Sequence, residues 1–364
     1  MKRPALQKQY RSAEPLSTRN IFLDTQVYRE LGHNPANPAL ITLKEQIDAH
    51  RVVLHTTDIT LLEVKRQIRE RVLAHQRELG KLEKELRRWR IQAPKSAPKL
   101  ALEFDPEILS SELFVCFRNF LHECRVQMHY ALITVDPEVI FTKYFGRKPP
   151  FDGENSKEFP DAFVIEALAH WAEQQDHKVH VVTADEAMTR AASAHPNLLP
   201  LKTIHDVLTR AAADLGPQAE TTAGKLLSQP AFDITLGKLL KAQMKEIAYV
   251  YTGDLADGEA YEGEFVAIKG TGDWSVVGLN DQRISLILNV RVQVRVEVEF
   301  EDRDNAIYDR EEGRWFGGEN ASTQVEDEVD VEVLADVSRT SGEVIGGKVL
   351  TSEIDISGPS GYEY

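Results

Sequence analysis

KVHVVTADEA, residues 178–187, is a short apolar run that ends on an acid, and NIFLDTQVY, residues 20–28, has the same form. Each reads as a buried strand closed by a carboxylate: Asp24 directly after IFL, and Asp185 after VHVVTA. RVVLHTTDI (51–59) is another such run, with Thr56, Thr57 and Asp58 suited to starting a helix. A helical segment lies near residues 40–50, and from Ile59 to Arg90 the pattern is helical, with only Gly80 against it, until APKSAP (93–98). A second helical region covers about 106–130, and ALITVDPEVIFTKYF (131–145) reads as a strand leading into a short helix or turn. KPPFDGENSKEFP (148–160) is a loop. PDAFVIEALAHWAEQQ (160–175) is an amphipathic helix with Phe163, Ala167, His170, Trp171 or their neighbours inward. HPNLLPLKTIHDVLTRAAA adds a short strand and helix. Short apolar strands alternating with helices predict an α/β unit with a mostly parallel sheet.

Beyond Tyr249 the character changes. In ISLILNVRVQVRVEVEF (284–300) every even position from Ile284 to Phe300 is apolar, and the odd positions from Asn289 onward are polar. Such alternation predicts one long strand with a single buried face. YEGEFVAIK, VEDEVDVEVL and the KVLTSEIDIS region add strands of a mainly antiparallel β domain. The chain divides on this reading into a flexible arm (1–17), an α/β domain (18–215) with a basic helical arm (64–99), a helical linker (216–247) and a β-rich domain (248–364).

The chain has 364 residues, enough for two domains, and a net charge of −15. Residues 246–364 hold 9 Lys and Arg against 27 Asp and Glu, a balance of −18, which leaves 34 against 31, or +3, for residues 1–245. The acidity is therefore C-terminal, and the overall charge does not exclude nucleic-acid binding by the N-terminal part. No apolar run is long enough to span a bilayer, and the polar, basic first twenty residues lack the apolar segment of a secretory leader. Cys116 and Cys124 are too few for a disulfide framework and are expected buried and reduced, in a cytoplasmic protein.

Four acids stand where an open parallel sheet gathers function, at the carboxyl ends of its strands. Asp24 and Asp185 follow strands, Asp161 opens the helix after the Pro-rich loop, and Glu63 lies about one turn into the helix after the second strand. Phosphodiester hydrolysis needs a nucleophilic water and a way to spread charge, and Mg²⁺ or Mn²⁺ held by carboxylates does both. The alternative for Asp24 and Asp185 is a strand-end turn residue, and for Asp161 a helix N-cap.

IFLDTQVY, TDITLLEVKRQI, EFPDAFVIEALAHWA and VHVVTADEAM resemble, in order, the successive signatures of PIN domains, above all the larger bacterial PIN-like proteins with a KPPF…KEFPDA third motif. The resemblance covers about residues 18–210 and implies a PIN-like α/β fold related to the flap endonuclease group. It implies Asp24, Glu63, Asp161 and Asp185 as catalytic ligands of Mg²⁺ or Mn²⁺, directly or through water. Thr25 and Thr183 would be hydrogen-bond donors that orient carboxylates. The implied reaction is endonucleolytic attack by metal-activated water, leaving a 5′ phosphate, most often on RNA.

Lys157 is a candidate contact to the scissile phosphate, and Glu186 a candidate aid to a second ion, each with an ordinary surface role as its alternative. Residues 64–99 carry twelve Lys or Arg and four Glu. Lys65, Arg66, Arg69 and their neighbours form a candidate surface for single-stranded or structured RNA. A solubilising helix, or a homo-oligomer contact through Leu79, Leu82 and Leu86, explains the pattern equally well. GTGDW (270–274) reads as a turn. The acidic β domain is open to a protein partner, oligomerisation or shielding of the basic surface. The readings that compete with an endoribonuclease are a structure-dependent DNase and a non-catalytic scaffold; a toxin or defence effector is a further possibility by analogy.

Overall fold

A computed structural model describes residues 9–11, 13–92, 104–152, 158–302, 307–309, 314–316 and 319–358. They form two compact units, one within Leu16–Val207 and the other within Leu208–Tyr364 together with the N-terminal residues up to Pro15.

The first unit begins with β1 (Asn20–Leu23), α1 (Thr25–Glu30), α2 (Pro38–Asp48) and β2 (Val53–Thr57). The 35-residue α3 (Asp58–Gln92) follows, started by Thr57, whose hydroxyl accepts from the Thr60 N–H at 3.0 Å. α4 (Pro106–Glu123) is capped by Asp105 and packs on α3. Next come β3 (Gln127–His129), α5 (Ala131–Thr134), α6 (Pro137–Phe145) and α7 (Phe159–Gln175), then β4 (Val179–Val182), α8 (Glu186–Ser193), β5 (Leu198–Leu201) and α9 (Ile204–Ala211). The strands form one parallel sheet in the order β3-β2-β1-β4-β5. β1 and β4 are its central strands and are almost wholly buried, as parallel strands covered on both faces must be. α7 turns Ala162, Val164, Ile165, Leu168 and Ala172 into the core, while His170 is exposed.

Two local expectations are corrected. ALIT, expected as a strand, is the short helix α5: only Ala131 is anchored in the core, and the Leu132 N–H donates to Asp58 Oδ2 at 3.3 Å. The strand lies just before it, in QMH. Cys116 is exposed, whereas Cys124 is buried and its thiol is pushed up to about 12 by desolvation.

The second unit contains α10 (Gly216–Leu227), α11 (Pro230–Gln243), β6 (Ala248–Tyr251), β7 (Glu259–Leu279), β8 (Arg283–Asp302), β9 (Ile307–Asp309), β10 (Arg314–Phe316), β11 (Glu319–Ser338), β12 (Val344–Val349) and β13 (Glu353–Ile356). β12-β11-β8-β7 is an antiparallel sheet; β13 pairs with β6 in parallel, and β9 with β10 antiparallel. The segment expected as a linker is instead part of this core. α10 buries Ala219, Ala223, Leu226 and Leu227, and α11 buries Phe232, Leu236 and Leu240. Helical spacing puts each set on one face, and both faces join one core with the apolar residues of β8, α11 lying against β7 and β12 and α10 against β7. Along β8 the alternation holds from Asn289 onward, but residues 284–288 are buried on both faces, where the Ser285 hydroxyl donates to buried Asp336 at 2.5 Å. On the polar face of β8, Arg291 binds Asp330 and Arg295 binds Glu326, neutralising part of the acid excess. GTGDW is not a turn: it lies inside β7, at shifts in the register with β8. Tyr10, expected in a flexible arm, bridges to Trp274 in this strand.

Candidate active site

The sheet order reverses between β1 and β4. From β1 the chain runs outward to β2 and β3, then returns to add β4 and β5 on the other flank. Connections diverge at such a switch point and leave a crevice at the carboxyl ends of the two strands. Asp24 is the first residue after β1; Thr183 is the first after β4, and Asp185 the third.

Asp24 is 6% exposed and is held by both oxygens. Thr25 Oγ1 donates to Oδ1 at 3.2 Å and Thr183 Oγ1 to Oδ2 at 2.8 Å. The same Thr183 oxygen accepts the Asp185 N–H at 3.0 Å, so one hydroxyl couples the two strand ends. Desolvation drives the Asp24 pKa up; the two threonine hydroxyls pull it down, and the charge of Asp185 pushes it up again. Asp185 is also a helix cap, its Oδ1 accepting the Met188 N–H at 2.8 Å.

Glu63 stands half-buried on the second turn of α3. Burial and then the charge of Asp24 raise its pKa, against Arg66 and the Thr25 hydroxyl. Asp161 is in the first turn of α7 and is not its N-cap, a place taken by Glu158. Burial, a hydrogen bond with Glu158 and the charges of Asp24, Glu63 and Glu158 push Asp161 up to about 8. The charge of Asp185 thus acts on Asp24, that of Asp24 on Glu63 and Asp161, and Glu63 and Glu158 act on Asp161 as well. Sequence reasoning missed Glu158; its signal was the one-turn spacing to Asp161 in KEFPDA. The coupling is electrostatic, for among the described residues no three His, Cys, Asp or Glu side chains converge closely enough to hold a metal ion.

The sequence from residue 21 to residue 188 matches the family model described as PIN domain. Residues 21–188 are a PIN domain. PIN domains form a superfamily of metal-dependent nucleases, typically use Mg²⁺ or Mn²⁺, and bind nucleic acid. No curated protein and no solved structure matches the chain.

The PIN domain match takes in all four acids, Glu158 and both threonines. It also takes in the basic arm, whose three candidate phosphate contacts are engaged within the domain. Lys65 lies 5.8 Å from the centre of the Phe114 ring, Arg66 pairs with Glu70, and Arg69 grips Glu107 with two nitrogens. Glu186 is solvated, with a side chain 94% exposed. Asp136 caps α6, and Asp152 forms a two-bonded pair with Arg190. Lys157 lies outside the described residues. No described helix is long and apolar enough to cross a membrane.

Proposed function

We propose that the PIN domain is an endoribonuclease in which Asp24, Glu63, Asp161 and Asp185 hold Mg²⁺ or Mn²⁺ and single-stranded or structured RNA is cleaved. The observation that carries this reading is that Asp24, Glu63 and Asp161 are all raised by burial at the β1–β4 switch point, with the charge of Asp24 adding to the other two. Carboxylates that are desolvated and feel one another's charge favour neutralisation, by a proton or by a cation that draws them together. The donors are all carboxylate oxygens, the ligand class of hard divalent ions. A bound ion of that kind supplies a nucleophilic water near neutral pH and spreads the charge that develops on the phosphate.

The chain's own residues perform the positioning. Thr25 and Thr183 fix both oxygens of Asp24 and so hold it in one orientation. The Asp185 cap on α8 fixes one of its oxygens, which sets where the side chain stands. Asp161, hydrogen-bonded with Glu158, keeps its carboxyl proton near neutral pH, and that proton would have to leave for the carboxylate to hold a cation. The burial of Thr183 and Asp24 keeps bulk water from competing for these hydrogen bonds.

The test is a Mn²⁺-dependent cleavage panel of single- and double-stranded RNA and DNA, with Asp24→Asn as control. The expected result is metal-dependent internal cleavage of RNA that Asp24→Asn lowers by on the order of a hundredfold or more, the scale on which a positioned charged group acts. Cleavage confined to DNA sinks the substrate assignment. A rate unchanged in Asp24→Asn sinks the site.

A further inference from the structure

Phe141 and Phe145 stand one turn apart on α6 and are 48% and 79% exposed, an unusual display for rings that ordinarily fill a core. They lie 6.3 Å apart between centroids, with planes inclined by only 27°. Phe141 also touches Phe159, at 5.7 Å. Phe159 is fixed by Tyr144 and Phe151, at 5.1 and 4.9 Å, and opens α7 two residues before Asp161. A row of aromatic rings therefore runs from open solvent to the helix turn that carries a site carboxyl. At the solvent end of the row the chain continues into Arg147 and Lys148, both exposed. Among the described residues neither enters an ion pair, whereas Lys143 on the same helix is bound to Glu166.

Exposed rings beside uncommitted cations match one chemistry well. Every nucleobase has a π face that stacks on an aromatic ring, whatever the sequence, while its phosphate meets a cation. A duplex hides those faces. A protein partner could also use apolar surface beside cations, but continuity with a carboxylate site favours a strand that must reach that site. We infer that Phe141 and Phe145 are a stacking platform for unpaired bases of a single-stranded nucleic acid, with Arg147 and Lys148 on its phosphates, guiding the strand toward the acids at the switch point. This rests on the nuclease reading and names the strand form of its substrate.

The experiment uses the full chain with Asp24→Asn, free of divalent ions, so that binding is read without cleavage. Fluorescence anisotropy measures affinity for a 12-residue oligouridylate, for an abasic oligomer of the same length and charge, and for a blunt duplex. The expected order is oligouridylate tightest. Phe141→Ala with Phe145→Ala weakens oligouridylate binding by about tenfold or more, the scale of losing one stacked base. It leaves abasic binding within about twofold, and Phe145→Trp retains affinity. Phe145→Ala alone, at the most exposed ring, gives a smaller loss in the same direction without a packing change. Equal affinity of the double variant for oligouridylate overturns the proposal. So does an equal loss on the abasic oligomer, or a change from dimer to monomer in light scattering with nucleic-acid affinity unchanged. If the native chain cleaves duplex but the Asp24→Asn chain binds no single strand, the platform fails while the nuclease stands; absence of any cleavage with intact oligouridylate binding fails the nuclease alone.

Discussion

Thr183→Val isolates the link between the two strand ends. Valine has the β-branched shape of threonine with a methyl in place of the hydroxyl, so the change removes two hydrogen bonds without opening a cavity. The lost bond to the Asp24 carboxylate is worth about 1.5–3 kcal/mol, and the lost bond from the Asp185 amide about 0.5–1.5 kcal/mol. Thr183 and Asp24 are both buried, so water does not replace either. The expected penalty is about 2–4 kcal/mol, read by urea unfolding with hydrogen exchange localised to β1, β4 and the start of α8. The penalty also has a pH signature. The Thr183 bond is one cause that lowers the Asp24 pKa, so the variant's Asp24 titrates higher than the native one. The charged carboxylate loses most, and the penalty therefore grows as pH rises through the Asp24 pKa and shrinks below it. A penalty under about 0.5 kcal/mol, or one larger at pH 5 than at pH 8, would refute the coupling of the strand ends through this hydroxyl.

Asp161 holds its proton to about pH 8 in the folded chain, against about 3.9 in an unfolded one. In the absence of divalent ions its contribution to stability is full below about pH 4 and lost as pH rises toward 8. Asp161→Asn removes that loss, so its unfolding free energy should exceed the native value by roughly a few kcal/mol at pH 8 and match it near pH 4; a variant less stable than the native chain at pH 8 contradicts the crowding of carboxylates. Leu236→Ala on α11, fully buried, should cost about 2–5 kcal/mol in urea unfolding of the C-terminal unit, with exchange rising along β8. A cost near zero would return this helix to the role of a linker.

How far the sequence discloses this molecule depends on whether a residue's neighbours are local. Asp24 and Asp185 are legible because a short apolar run closed by an acid is a local pattern, and a parallel sheet turns two such ends into one crevice. Glu63 and Asp161 reach that crevice from helices, so only the ordered resemblance to PIN domains singles them out. Glu158 lies in a polar, Pro-containing loop where an acid reads as solvated; its part comes from the entry of α7. ALIT reads as a strand from its β-branched and apolar content, yet it forms a short helix whose Leu132 N–H donates to the Asp58 side chain of α3. The edge strand β3 has the sequence QMH, with no apolar alternation to betray it. The stripes of α10 and α11 are visible as spacing, but the sheet they cover is assembled from strands up to a hundred residues later. Arg69 appears free on a basic helix until α4 brings Glu107 beside it.

The central claim is that these acids form one cation site. Calorimetric titration of Mn²⁺ at pH 7, in two buffers of different ionisation enthalpy, measures binding and proton release together. The native chain should bind Mn²⁺ saturably with release of up to about one proton, because Asp161 must give up the proton it holds. Binding should be lost in Asp24→Asn, and proton release abolished in Asp161→Asn. Binding of Mn²⁺ that neither substitution alters, or that releases no proton, would contradict that claim.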